Sequence, residues 1–113
     1  MSFSVWVAVA VAVSVAGQPQ FSVFASDEIL ELRIKNHRYT PDRLEVKAGQ
    51  RFKVRVTNED PSSEEFESKS MIIEKFIGPK RSIVVTLGPL KPGSYDFFGC
   101  FHPDTAKGVI VAK

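Results

Sequence analysis

Residues 51–57 read RFKVRVT, with Phe52, Val54 and Val56 alternating against Lys53 and Arg55. Successive side chains of a strand point to opposite faces, so this period of two predicts a β-strand with one face buried and the other in water. The pattern continues outward in both directions. Upstream, Ile29–Lys35 (ILELRIK) sets Leu30, Leu32 and Ile34 against Glu31, Arg33 and Lys35. Leu44–Lys47 is a shorter run that ends at Ala48-Gly49-Gln50, which predicts a hairpin turn into the strand from Arg51. Downstream, Asn58–Ser70 is polar and acidic and reads as a connection. Met71–Ile77, Ser82–Leu87, Ser94–Phe98 and Gly108–Lys113 read as further strands, punctuated by Gly78-Pro79 and Lys91-Pro92-Gly93. About seven strands at this spacing, with no helical period of useful length, predict an all-β fold, an antiparallel Greek-key β-sandwich.

Strand directions then locate one end of the sandwich. If Ile29–Lys35 runs up, Leu44–Lys47 runs down and Arg51–Thr57 runs up again. The acidic segment after Asn58 and the neighbourhood of His37 therefore lie at the top, and an upward strand from Ser94 delivers Cys100 and His102 to the same pole.

The chain has 113 residues and a net charge of +2, enough for one domain and too small a charge to argue for nucleic acid or an anionic membrane surface. Val5–Ala16 reads VWVAVAVAVSVA, and no charged side chain precedes Asp27. That run has the length of a secretory h-region, and Val23 and Ala25 satisfy the small-residue rule for cleavage before Ser26. Residues 1–25 are therefore expected to be a signal peptide and 26–113 an exported, periplasmic domain. An uncleaved N-terminal membrane anchor and a Val/Ala strand that pairs in the fold are the alternatives.

The stretch Tyr95–Lys113, YDFFGCFHPDTAKGVIVAK, holds the single cysteine, Cys100, and one of two histidines, His102. A lone cysteine forms no internal disulfide, so Cys100 is a metal ligand, a small buried hydrophobe or half of an intermolecular bridge. A thiolate and an imidazole one residue apart suit a transition metal. If residues 100–102 are extended, both side chains share a face, which limits how they converge on one ion. His37, in the Asn36-His37-Arg38 connection, and Met71 are weaker soft donors. Glu59, Asp60, Glu64, Glu65 and Glu67 read mainly as a solvated acidic loop. A thiol enzyme with Cys100 as nucleophile and His102 as base lacks an evident third orienting residue, so a non-enzymatic role is expected.

The chain from Ile29 to Lys113 resembles the cupredoxins. The resemblance is carried by Tyr39-Thr-Pro41 with Leu44-Glu-Val46 and Ala48-Gly49, by Val54-Arg-Val-Thr-Asn58-Glu-Asp60, by Leu90-Lys-Pro-Gly93-Ser-Tyr95, and by Cys100 with His102 and Ala106-Lys-Gly108-Val-Ile-Val111. More narrowly, Glu64-Glu-Phe66-Glu-Ser68, Gly88-Pro-Leu-Lys-Pro-Gly93 and Phe97-Phe-Gly99-Cys-Phe-His102-Pro are similar to EfeO-type cupredoxin-like domains, associated with bacterial iron-uptake permeases. The resemblance implies copper, electron transfer or metal handling in support of metal uptake, and a membrane iron-permease system or a redox protein as partner. Blue-copper cupredoxins use two histidines, a cysteine and an axial methionine. Here Glu64 stands at the first histidine, a single residue separates Cys100 from His102, and Ala106 falls at the methionine. A non-blue site is therefore expected, with Glu64, Cys100 and His102 as ligands, His37 or Glu65 as a fourth group, and copper, zinc or iron as the ion. A metal-free binding module is the alternative.

Overall fold

The computed structural model describes residues 28–113; the expected signal segment, residues 1–25, lies outside the described residues. The strands are β1 (Ile29–Lys35), β2 (Arg38–Thr40), β3 (Arg43–Val46), β4 (Phe52–Asn58), β5 (Glu64–Ser68), β6 (Ile73–Ile77), β7 (Ser82–Leu87), β8 (Gly93–Phe98) and β9 (Lys107–Ala112). They form two sheets, ordered β3-β9-β8-β5-β6 and β2-β1-β4-β7. The all-β sandwich read from the alternating runs is the architecture of the molecule.

Both sheets are mixed rather than purely antiparallel, because β1 and β4 pair parallel in one and β3 and β9 in the other. The cause lies in the connections. Ala48-Gly49-Gln50 does turn the chain, yet it carries it from β3 in one sheet to β4 in the other instead of closing a hairpin. Gly49, at φ 81°, allows that turn, and its N–H donates to the Leu90 carbonyl at 2.8 Å. Strands that run the same way thus become neighbours.

Inward residues of β4 and β1, including Val54, Val56, Leu32 and Ile34, meet Phe66, Ile77, Phe97 and Ile110 from the facing sheet. Each such burial stabilises by about 1.5–3 kcal/mol. Tyr39 of β2 spans the layers: its ring meets Phe97 edge-on with centroids 5.0 Å apart, and its hydroxyl donates to the Glu65 carbonyl at 2.5 Å. Burial, then the charges of Glu64, Glu65 and Cys100, push the Tyr39 phenol up.

Two strands lie where the sequence reads as connections. β2 is three residues long, and β5 (EEFES) turns Glu64, Phe66 and Ser68 inward and Glu65 and Glu67 outward. Two polar groups on the buried face hide the alternation of β5. Both are satisfied: Ser68 donates to the Asp96 carbonyl at 2.6 Å, and Glu64 is described below.

β1 and β4 run to one pole. β9 is parallel to β3, and β8 is antiparallel to β9, so β8 runs to that same pole. β5 starts there. His37, Glu64, Cys100 and His102 are all brought to this end.

Candidate metal centre

The β1–β2 turn consists of Asn36 and His37, both at positive φ, 53° and 58°. A two-residue I′ turn requires this of both central residues. A non-glycine side chain held there costs about 1 kcal/mol. Asp60 offsets the cost: its carboxylate accepts the Asn36 N–H at 2.7 Å and the His37 N–H at 2.9 Å. Burial works against the charge of Asp60, but those two donors, with the imidazoles of His37 and His102 nearby, hold its carboxyl below the usual carboxylate range. Asn58 fixes the adjoining segment, accepting the Asp60 N–H at 3.0 Å and donating to Ser62, Ile77 and Gly78 carbonyls.

Glu64 is 1 % exposed. A buried carboxylate needs partners for its lone pairs. Its Oε1 accepts the N–H groups of Glu65 and Phe101, each at 3.0 Å, and its Oε2 lies 2.6 Å from His102 Nδ1. Gly99 leaves room for this carboxylate, since a Cβ there would sit 2.5 Å from Glu64 Cδ. The imidazole of His102 in turn stacks on that of His37, with centroids 3.5 Å apart and planes within 7°.

Residues 99–102 form a turn rather than an extended segment: the His102 N–H donates to the Gly99 carbonyl at 3.1 Å, and the Gly99 N–H to the Ala106 carbonyl at 2.8 Å. This turn sends the two candidate donors to different carboxylates. His102 reaches Glu64 on the inner side of β5, while the Cys100 thiol donates to Glu65 Oε1 on the outer side at 2.7 Å.

Around Cys100, the outward row of β5 supplies Glu65 and Glu67, and the register of β6 sets Glu74 opposite Glu67. The thiol and the three carboxylates have ligand atoms within 4.8 Å of one another. Like charges crowd the group. The hydrogen bond to Glu65 and the charges of Glu65 and Glu67 push the Glu74 carboxyl up. The hydrogen bond to Glu65, burial and the surrounding carboxylates push the Cys100 thiol up to about 11. A cation would relieve that repulsion and favour the thiolate. Phe76, opposite Glu65 in register, meets Phe101 edge-on at 6.5 Å; they are 59 % and 49 % exposed.

The residues singled out in the sequence thus divide into two groups, Glu64 with His102 and His37, and Cys100 with Glu65. Ala106, which the resemblance sets at the axial methionine, is fully buried. Glu67 and Glu74 join the second group without having been singled out. Their signal was the period of two, which places Glu65 and Glu67 on one face once β5 is recognised as a strand. Gly99 carried no sequence signal beyond its presence beside Cys100.

Against known proteins, the cupredoxin-like domain family matches residues 4–112. An uncharacterised protein of Rickettsia prowazekii (strain Madrid E) is 43 % identical over 90 residues, covering 78 % of this chain and 72 % of that protein. The fold is similar to the metal-binding domain of the Cu(I)-exporting P-type ATPase CopA of Streptococcus pneumoniae D39, solved with Cu(I), at a TM-score of 0.67 and 17 % identity over 75 % of this chain and 84 % of that one. It is likewise similar to reduced auracyanin of Roseiflexus castenholzii, at 0.64 and 17 % identity over 75 % and 96 %. An amicyanin variant in its Cu(I) form gives 0.62 and 19 % over 75 % and 82 %. The match along nearly the whole length, with the sandwich and the pole it builds, places this chain in the cupredoxin-like domain family.

Proposed function

We propose that this chain is an exported cupredoxin-fold protein that holds a metal ion, copper first, on the Cys100 thiolate with Glu65, Glu67 and Glu74, and that it handles the ion in support of metal uptake. One observation carries the reading: a soft thiol and three carboxylates converge within 4.8 Å on the outer face of β5 and β6. Similarity to proteins of the same fold solved with Cu(I) supports copper as the first ion to test. Cupredoxin-like domains are typically electron carriers or metal-binding modules, and a non-enzymatic role follows that pattern.

Glu64 and His102 serve this site by holding the Cys100 turn. Glu64 already accepts two N–H groups and faces His102, and parallel imidazoles 3.5 Å apart do not aim their lone pairs at one ion. A thiolate selects soft ions, while three carboxylate oxygens favour harder ones. The set therefore admits iron and zinc beside copper, in keeping with the resemblance to iron-uptake domains and with a membrane permease as partner. Electron transfer is the second reading, favoured by the exposed Phe101 next to Cys100.

The test is equilibrium dialysis of the chain against Cu(II), Zn(II) and Fe(III) in turn, beside Cys100→Ser, Glu67→Ala and His102→Ala. The account expects one equivalent of copper, lost in Cys100→Ser, weakened in Glu67→Ala and retained by His102→Ala. Copper retained by Cys100→Ser, or no retention by the wild type, would refute it.

A further inference from the structure

The second residue of the β1–β2 turn stands at φ 58°, a conformation in which glycine is the favoured residue, yet the chain places histidine there. Two acceptor atoms of Asp60 hold the turn in that geometry. The ring so presented does not point into water; it covers the face of His102 at 3.5 Å. From His102 the contacts run on without a gap. His102 Nδ1 lies 2.6 Å from Glu64 Oε2, and Glu64 Oε1 accepts the N–H of Phe101, the residue following Cys100. The contacts link a turn of the four-stranded sheet to a thiol on the outer side of the five-stranded one.

We infer that His37 is a positioning residue for Cys100: by stacking on His102 it holds the 99–102 turn in the form that presents the thiol to Glu65. The inference rests on the reading of Cys100 and Glu65 as an ion site for its functional consequence, and on geometry alone for its mechanical part. The stack needs an aromatic ring at position 37, not an imidazole. His37→Asn, which tolerates the same backbone conformation, therefore removes the function, while His37→Phe keeps the ring but meets the positive φ at a cost and gives up the 3.5 Å contact of His37 Nε2 with Ser62 Oγ, so it restores the function in part. Without the ring, one face of His102 opens to water, and the bond from Phe101 to Glu64 opens more often.

The test compares the full chain with His37→Asn and His37→Phe by amide hydrogen exchange without metal, and by the copper-thiolate absorption of each after one equivalent of Cu(II). In His37→Asn, exchange at the amides of Phe101 and Ala106 is expected to rise about five-fold, as for loss of one modest interaction, while Val56 and Ile110 in the core keep their protection. The absorption band should weaken or shift in His37→Asn and return at least in part in His37→Phe. Unchanged Phe101 exchange in His37→Asn would overturn the inference, as would an equal rise at every amide. A wild type that shows no band while His37→Asn shows the local exchange effect supports the positioning role and counts against the ion site alone.

Discussion

Replacing Gly99 by alanine tests the pole most severely for the smallest chemical change. The new Cβ would meet Glu64 Cδ at 2.5 Å, Oε1 at 2.6 Å and Cγ at 2.8 Å, all far inside van der Waals contact. These are side-chain atoms, so they can move in principle, but the carboxylate is buried and committed to Glu65 N–H, Phe101 N–H and His102. Moving it gives up hydrogen bonds to a charged acceptor, worth about 1.5–3 kcal/mol each. Overpacking adds about 1–3 kcal/mol. Partial relaxation recovers some of this, which leaves a net loss of about 3–4 kcal/mol, a large share of the stability of a domain of this size. Gly49→Ala is the control: nothing lies within 4 Å of its Cβ, and only the positive φ penalises it, by about 1 kcal/mol. Urea unfolding of the metal-free chain followed by far-UV circular dichroism measures both. A Gly99→Ala loss no greater than that of Gly49→Ala would refute the packing of Glu64 against the Cys100 turn.

Other consequences follow from the same contacts. Because the Asp60 carboxyl is held below its unfolded value, its stabilisation is complete above about pH 4 and is lost as pH falls through the lower folded value. Asp60→Asn should therefore cost stability at pH 7 and narrow its difference from wild type toward pH 2–3, as read by urea midpoints across that range; a pH-independent difference would contradict the assignment. Removing Glu65 should return the Cys100 thiol, now pushed up to about 11, toward the ordinary range. Glu65→Ala should then alkylate faster than wild type at pH 8 with iodoacetamide, and an unchanged rate would mean that Glu65 does not hold the thiol. Since copper must displace that proton, its affinity should rise by up to about tenfold per pH unit between pH 6 and 8 in competition titrations with a chelator, and an affinity independent of pH would mean that the thiol is not a ligand.

Much of this molecule is legible from the alternation of its strands. Phe52, Val54 and Val56 face inward as their spacing demands, and following strand direction from Ile29 brings His37, Cys100 and His102 to one end. The parts that escaped have physical reasons. Glu64 and Ser68 sit on the buried side of β5, so the strand that organises the pole shows polar residues where a reader looks for apolar ones. The turn at Gly99 separates Cys100 from His102, and its cause, room for the Glu64 carboxylate, is a tertiary contact. Glu74 reaches the thiol through the β5–β6 register, which is invisible until β5 is a strand. The crossing of the chain between sheets at Gly49 depends on partners at Leu90 and Lys113 that local turn chemistry does not reveal.

The most direct test of the account is X-ray absorption at the copper edge of the chain loaded with one equivalent of copper. The account predicts one sulfur neighbour at about 2.3 Å with oxygen neighbours beside it. A spectrum dominated by imidazole, with no sulfur, would place the ion on His37 and His102 instead and contradict the site built around Cys100.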